Sequence, residues 1–295
     1  MKDKLKLFYN FRKYFILPLK ILRMAVVDTV RQDGIEHSGY LAFLLLLSFF
    51  PFLIFIFSLI GLFGATEVGV EIIQSILQST PTEVSHGLKP YIDEIISGPP
   101  HSLLTIAIIG VIWTASSSVE GCRTILNRAY RINFPPPYLL RRLFSIGEFF
   151  VITFLIVVGI LIFVILPNFL EKNNFNISLI ASYFNHDFYY IRQTLFFVIL
   201  TIATALLYFA LPNAKQKFTQ TVPGSILTVA LWIVVEHVFS LYLENFHQVN
   251  FVYGSLAGII ISLLFFYFIS IIFVLGAEFN YHFHRAYKIF LKVKK

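Results

Sequence analysis

Residues 112–130 read IWTASSSVEGCRTILNRAY and concentrate side chains that could do chemistry. Ser116, Ser117 and Ser118 offer hydroxyls, Glu120 and Arg123 stand one helical turn apart, and Asn127 follows one turn later. Three roles would use such a set: nucleophilic catalysis by a serine, the polar wall of a transport path, or close helix packing. A catalytic serine requires a positioned base, yet no histidine lies near in sequence and no nucleophile elbow surrounds these residues. Glu120 and Arg123 have the spacing of an intrahelical ion pair. Ser116, Glu120 and Asn127 share one helical face, because their separations are four and seven residues. If the chain moves something, that face is where it enters or leaves.

Other candidates lie elsewhere in the chain. Glu236 and His237 interrupt an apolar run, and an ionisable group there must be paired, protonated or turned toward a water-filled path. On a helix Ser225, Thr228, Trp232, Glu236 and Ser240 form one polar stripe, which is expected to avoid lipid. Either a cavity with ion or proton coupling, or an interhelical pair with a hydroxyl, Tyr or His partner, would account for Glu236. Glu278 and Asn280 end another apolar run, and with Glu120, Arg123 and Asn127 they are expected to form a polar cluster, either a gate or a structural clasp. Ser48 and Pro51 fall inside a further apolar run. Proline removes a helical hydrogen bond and frees the carbonyl of Leu47, which makes either a kink or a hinge and binding element. Small residues recur at helical spacing as Gly110, Thr114, Ser117 and Gly121, and again as Gly254, Gly258 and Ser262, the pattern of a packing seam. His282 and His284 are two apart, so they point to different sides of a helix and are not a metal-ligand pair. No metal and no cofactor is expected.

These residues need elements to carry them. The 295-residue chain is 57% hydrophobic and 13% charged, about half the charge of a soluble domain. Its long apolar runs lack the alternation of a membrane barrel, which leaves an all-α polytopic membrane protein. Six transmembrane helices are predicted, at approximately 38–63, 102–122, 143–167, 190–211, 223–243 and 254–280. Of the 23 Lys and Arg residues, all but Lys89, Lys172 and Arg192 fall in residues 1–37, 123–142, 212–222 and the tail 281–295. Basic residues collect on the cytoplasmic side, so both termini are expected there. The net charge of +7 is thereby topological, and no nucleic-acid partner is needed to explain it. The single cysteine, Cys122, excludes an internal disulfide. The first apolar span begins near residue 39, too long and too far in for a cleaved signal peptide.

Two segments outside the spans carry structure of their own. Leu5, Phe8, Phe11, Phe15, Leu19 and Leu22 recur at helical spacing among Lys and Arg, which predicts a basic amphipathic interfacial helix within residues 1–37, broken near Pro18. In the first outside loop, Val70, Ile73 and Leu77 form one apolar stripe and Val84, Leu88, Tyr91 and Ile95 another. Pro81 separates them, so two short helices are expected, as a lid or a cover.

Five stretches in order carry a family resemblance: LSFFPFLIFIFSLIGLF (47–63), IWTASSSVEGCRTILNRAYRI (112–132), LPNAKQKF (211–218) with PGSI (223–226), YGSLAG (253–258) and LGAEFN (275–280). On these the chain resembles the YihY/virulence factor BrkB family, older members of which were labelled ribonuclease BN. The resemblance implies a six-helix inner-membrane fold and points to transport of a solute or lipid. Glu236 lies outside the matching stretches, so it is expected to tune this member. Phosphodiester cleavage requires a metal cluster, a His pair or paired carboxylates facing water, and the cytoplasmic segments supply no such set in sequence. The expected function is therefore a transporter-like, non-enzymatic protein of the bacterial cytoplasmic membrane. Its partners would be membrane lipids and an unidentified solute or lipid substrate. A non-transporting scaffold or envelope-integrity factor is the alternative, with a membrane-bound hydrolase or nuclease third.

Overall fold

The computed structural model describes residues 17–62, 102–133, 136–160, 187–245 and 256–293. The expected helices of the 65–100 loop, the positions Leu5 to Phe15 and the seam residue Gly254 lie outside them. Among the described residues the chain is helical and contains no strand. The helices are α1 (Leu17–Arg31), α2 (Gly34–Leu62), α3 (Ser102–Ala129), α4 (Tyr138–Ile160), α5 (Asp187–Ala210), α6 (Val222–Asn245) and α7 (Leu256–Val293), with a 3-10 turn at Phe218–Gln220.

Five of these contain a stretch long and apolar enough to cross a membrane: Gly34–Leu53, Tyr138–Gly159, Gln193–Ala210, Val222–Leu243 and Gly258–Ala286. The helix expected as the second span, α3, forms over its full length but falls short in apolarity. Its second half carries Ser116–Ser118, Glu120, Arg123, Asn127 and Arg128, which interrupt the apolar run. The outward faces of the others are apolar, with Phe43, Phe150, Phe154, Phe196, Ile233 and Ile259 all exposed. So much exposed apolar surface suits lipid rather than water.

Two boundaries differ from expectation. α4 begins at Tyr138, five residues earlier than predicted, and so takes Arg141 and Arg142 into the helix. α7 continues to Val293, so most of the expected tail is helix. The reason is that apolar periodicity persists past residue 280: Phe279, Phe283 and Ala286 pack against Ile21, Leu22, Met24 and Ala25 of α1. Pro18 stands in the first turn of α1, where the missing N–H would have had no helical partner. α1 then joins α2 through Asp33, whose φ of 55° lies in the left-handed region that Asp tolerates.

The chain divides into two compact units. The first comprises Met1–Leu46, Glu120–Tyr138 and Gln193–Lys295. Here α7 is the central element, with α1 and α6 packed along it. The second comprises Leu47–Val119 and Leu139–Arg192. Its described core is aromatic: Phe55 lies 5.4 Å from Phe149, and Phe52 and Phe150 contact the same pair edge-on. Pro51 is accommodated within α2. Ser48, one turn before it, donates to the carbonyl of Thr114 at 3.0 Å and so ties α2 to α3.

Candidate functional site

In the first unit, the polar residues of α3 and α7 act largely at helix ends. α3 closes with Arg131 N–H bonded to the carbonyl of Arg128 and Ile132 N–H bonded to that of Asn127. This is the Schellman pattern, in which the residue at the Arg131 position is left-handed and is usually glycine. Arg131 adopts φ 60° there. A side chain in that region costs about 1 kcal/mol relative to glycine.

The strained backbone aims the guanidinium of Arg131 at α7. It donates from Nη1 to Glu278 Oε1 at 2.7 Å and from Nη2 to Glu278 Oε2 at 2.9 Å, a bidentate pair. Nη2 also reaches Asp28 Oδ2 of α1 at 3.2 Å, and His282 Nε2 meets the same oxygen at 2.9 Å. The guanidinium lies over the Tyr281 ring, 4.6 Å from its centroid. Burial opposes the charge on Arg131, but the hydrogen bonds and charge of Glu278 outweigh it and hold its pKa above the ordinary value. Glu278 is 1% exposed, so its carboxylate depends on this partner.

The neighbouring amides fasten loops. Asn127 donates from Nδ2 to Asn213 Oδ1 at 3.0 Å and accepts from the Asn213 N–H at 2.7 Å. Arg123, ion-paired to Glu120 at 3.6 Å, donates to the carbonyl of Leu211 at 2.8 Å and so satisfies the end of α5. Asn280 accepts from the N–H of Gly224 at 2.6 Å in the first turn of α6. Its Nδ2 donates to the Tyr130 hydroxyl at 3.4 Å. Burial pushes that phenol's pKa up and keeps it protonated. Above this layer, Tyr208 donates to the carbonyl of Phe273 at 2.7 Å and shares a 2.8 Å hydrogen bond with Thr228. Glu120, Arg123, Asn127, Glu278 and Asn280 are thus all in this unit, the first three in the last ten residues of α3 and the other two inside α7. Asp28, Arg131, Asn213 and His282 belong with them and were not singled out by spacing.

The second unit holds a cation that the sequence assigned to a loop. Arg142 is 2% exposed, one turn into α4. Its Nη2 donates to the carbonyl of Trp113 and, at 3.1 Å, to Ser117 Oγ, while the guanidinium lies 4.3 Å from the centroid of the Trp113 ring. No carboxylate pairs with it among the described residues. Desolvating a cation costs several kcal/mol, and a cation–π contact returns about 0.5–2 kcal/mol. Two neutral hydrogen bonds and one aromatic face leave Arg142 under-compensated.

The serines beside it bond to their own helix. Ser116 and Ser117 donate to the carbonyl of Trp113, Ser118 to that of Ala115, and Thr114 to that of Gly110. Ser116 is fully buried.

The polar stripe of α6 divides in two. Ser225 and Thr228 are buried, and Trp232 donates from Nε1 to the carbonyl of Ile269 at 3.0 Å. Beyond Trp232, Glu236, His237 and Ser240 are exposed. Although Phe239 in the second half of α6 meets Phe265 of α7 at 5.1 Å, the two helices approach most tightly along the first half of α6. There a Cβ on Gly224 would collide with the carbonyl of Gly276 and with Asn280, and one on Gly276 with Thr228 and Tyr208. Among the described residues nothing approaches Gly110 or Gly258 so closely, and Gly121 faces the Leu44 side chain. Ser262 is half-buried. The tight helix approach is therefore at Gly224 and Gly276, outside the glycine repeats visible in sequence.

A metal would find one convergent set among the described residues. Ligand atoms of Asp28, Glu278 and His282 lie within 4.8 Å of one another, and His284 is not among them. The guanidinium of Arg131 already bonds both carboxylates, so an ion would have to displace it.

Five described helices with stretches long and apolar enough to cross a membrane, and outward faces suited to lipid, define a multi-pass α-helical membrane protein. The comparisons narrow that class. The model of the family described as "Virulence factor BrkB" matches residues 25–292, and the chain belongs to that family. It is similar to a "Putative ribonuclease-like protein YfkH" of Bacillus subtilis, 28% identical over 265 residues, covering 88% of this chain and 93% of that protein. It is also similar to UPF0761 membrane proteins of Alteromonas mediterranea, 24% identical with 94% of this chain and 92% of the relative covered, and of Pseudoalteromonas translucida, 25% identical with 94% and 91% covered. No solved structure matches.

Proposed function

We propose that the chain is a transporter-like protein of the bacterial cytoplasmic membrane, with both termini inside, that moves a small solute or a lipid. The observation that carries this reading is the Asp28–Arg131–Glu278–His282 network. It joins α1, the turn after α3 and α7 through charges that can separate and re-form, and it is held by a left-handed arginine where glycine would be relaxed. Strain of this kind is kept where a switch or ligand clamp uses it. The network then acts as a cytoplasmic gate.

The scaffold reading has its own support: the hydroxyls of Thr114 to Ser118 bond back to α3 rather than lining a path. Hydrolysis is the weakest reading. The ribonuclease-like name belongs to the Bacillus relative, and here the carboxylates and histidine that could hold a metal are engaged with Arg131 and one another.

Reconstitution discriminates between the first two. Liposomes containing the full chain and a trace of dithionite-reducible fluorescent lipid report lipid exchange, and osmotic swelling in a panel of small solutes reports solute entry. Transport predicts a rate above protein-free liposomes in one of the two assays, altered by Arg131→Ala. Background rates in both leave the scaffold.

A further inference from the structure

We infer that Arg142, with Trp113 and Ser117, forms a binding site for an oxyanion, of the kind carried by a phosphate-bearing head group or a soluble phosphate ester. A guanidinium offers five N–H groups in a rigid fork. Those of Nη2 serve the Trp113 carbonyl and Ser117 Oγ, while Nε is buried with no acceptor and Nη1 makes no hydrogen bond among the described residues. Ser117 commits its own proton to the Trp113 carbonyl, so it fixes the guanidinium without neutralising it.

Arg142 lies within the stretch Tyr138–Gly159 that is apolar enough to span a membrane. A buried ionisable side chain inside such a stretch is a functional site by default. Nη1 and Nε are left to donate on opposite edges of the guanidinium, and an arginine cation with spare donors is the side chain suited to a phosphate oxygen. Trp113 is 53% exposed and offers an apolar plate beside the guanidinium. All three residues belong to the second unit, so the site is distinct from the ionic network on Asp28 and Glu278.

The inference deepens the transport reading by naming an anionic substrate class and takes its physiological sense from it, but binding can be measured without flux. The full chain in neutral-detergent micelles is titrated with dihexanoyl phosphatidylglycerol, with inorganic phosphate and with dihexanoylglycerol, following tryptophan emission. A saturable change with the phosphatidylglycerol alone assigns the site to a lipid head group. One with inorganic phosphate, alone or as well, assigns it to the phosphate itself. Arg142→Gln weakens that binding at least tenfold, and Arg142→Lys, which keeps the charge but loses the planar donor set anchored on Trp113 and Ser117, weakens it several-fold in a protein that retains its helical circular dichroism. No saturable change with either phosphate ligand, an equal response to dihexanoylglycerol, or unchanged affinity in Arg142→Lys overturns the inference. Binding without flux in the reconstitution assay leaves the site standing and removes the transport reading alone.

Discussion

Arg131 and Glu278, 147 residues apart in sequence, meet through two parallel N–H···O bonds of 2.7 and 2.9 Å. The carboxylate comes from the interior of α7 and the guanidinium from the closing turn of α3. Neither segment could be moved without separating charges of which one is almost fully buried.

Arg131→Ala leaves Glu278 without its cation. Breaking a fully buried pair costs about 3–5 kcal/mol. The Arg131 side chain is 24% exposed, so a loss on the order of 2–4 kcal/mol is expected. Arg131→Gly should be about 1 kcal/mol more stable than Arg131→Ala, because glycine relaxes the left-handed turn. Thermal unfolding of the purified variants in detergent checks both, and Glu278→Gln should recover part of the loss in the Arg131→Ala background.

Gly224 and Gly276 test the close approach of α6 and α7. A methyl group on either meets backbone or the buried Tyr208–Thr228 pair, which cannot swing aside. Overpacking of this kind costs about 1–3 kcal/mol and sometimes more. Gly224→Ala and Gly276→Ala should lower the yield of folded protein, whereas Gly110→Ala and Gly258→Ala should not. Equal yields for the four would show that the helices do not touch there.

Class and helix positions were legible in the sequence because they follow from long-range averages of hydropathy and charge. The polar cluster was partly legible: Glu120, Arg123, Asn127, Glu278 and Asn280 stand out as polar residues at the ends of apolar runs. Their partners were not. Asp28 and Arg131 look like ordinary basic-side residues, and only folding brings Arg131 onto Glu278. Arg142 was read as loop because a charge following the sequence PPPYLLR marks a boundary on any hydropathy scale. The run Tyr138–Leu140 before it was the available signal that the helix had already begun. The packing glycines were missed for a similar reason. Gly224 and Gly276 make no repeat within their own helices; each is small because of the other.

Tyr208 sits at the centre of the buried hydrogen bonds between α5, α6 and α7. Tyr208→Phe keeps the ring stacked on Phe273, 4.8 Å away, but removes the donor to the Phe273 carbonyl and the partner of Thr228. A loss of about 1–3 kcal/mol is expected, since buried groups are left unsatisfied. Thr228→Val added to Tyr208→Phe should cost less than the sum of the two single changes, measured by thermal unfolding.

The ribonuclease-like name of the Bacillus relative leads to a direct test. Incubated with RNA and divalent metal, the purified chain should leave the substrate intact at the level of a protein-free control. Cleavage that disappears in Glu120→Ala or His282→Ala would establish the hydrolase instead. Those two residues separate the possible sites, since Glu120 pairs with Arg123 and His282 with Asp28.

Glu236 distinguishes a lipid-facing from a path-facing surface on α6. It is exposed, lies inside the spanning stretch Val222–Leu243, and follows Trp232 by one turn. A surface carboxylate of this kind contributes little to packing, so Glu236→Gln should shift stability in detergent by no more than about 0.5 kcal/mol. In a bilayer the two settings diverge. Facing lipid, an acidic side chain carries an insertion cost of about 2.5–3.5 kcal/mol, and Glu236→Leu would raise thermal stability in nanodiscs above its value in detergent. Facing a water-filled path, the same change gains nothing in lipid and alters flux. The transport reading requires the second outcome: Glu236→Gln and Glu236→Leu change the rate in proteoliposomes while their unfolding temperatures follow the wild type in both settings. A stabilised Glu236→Leu with unchanged flux would place this carboxylate outside any path.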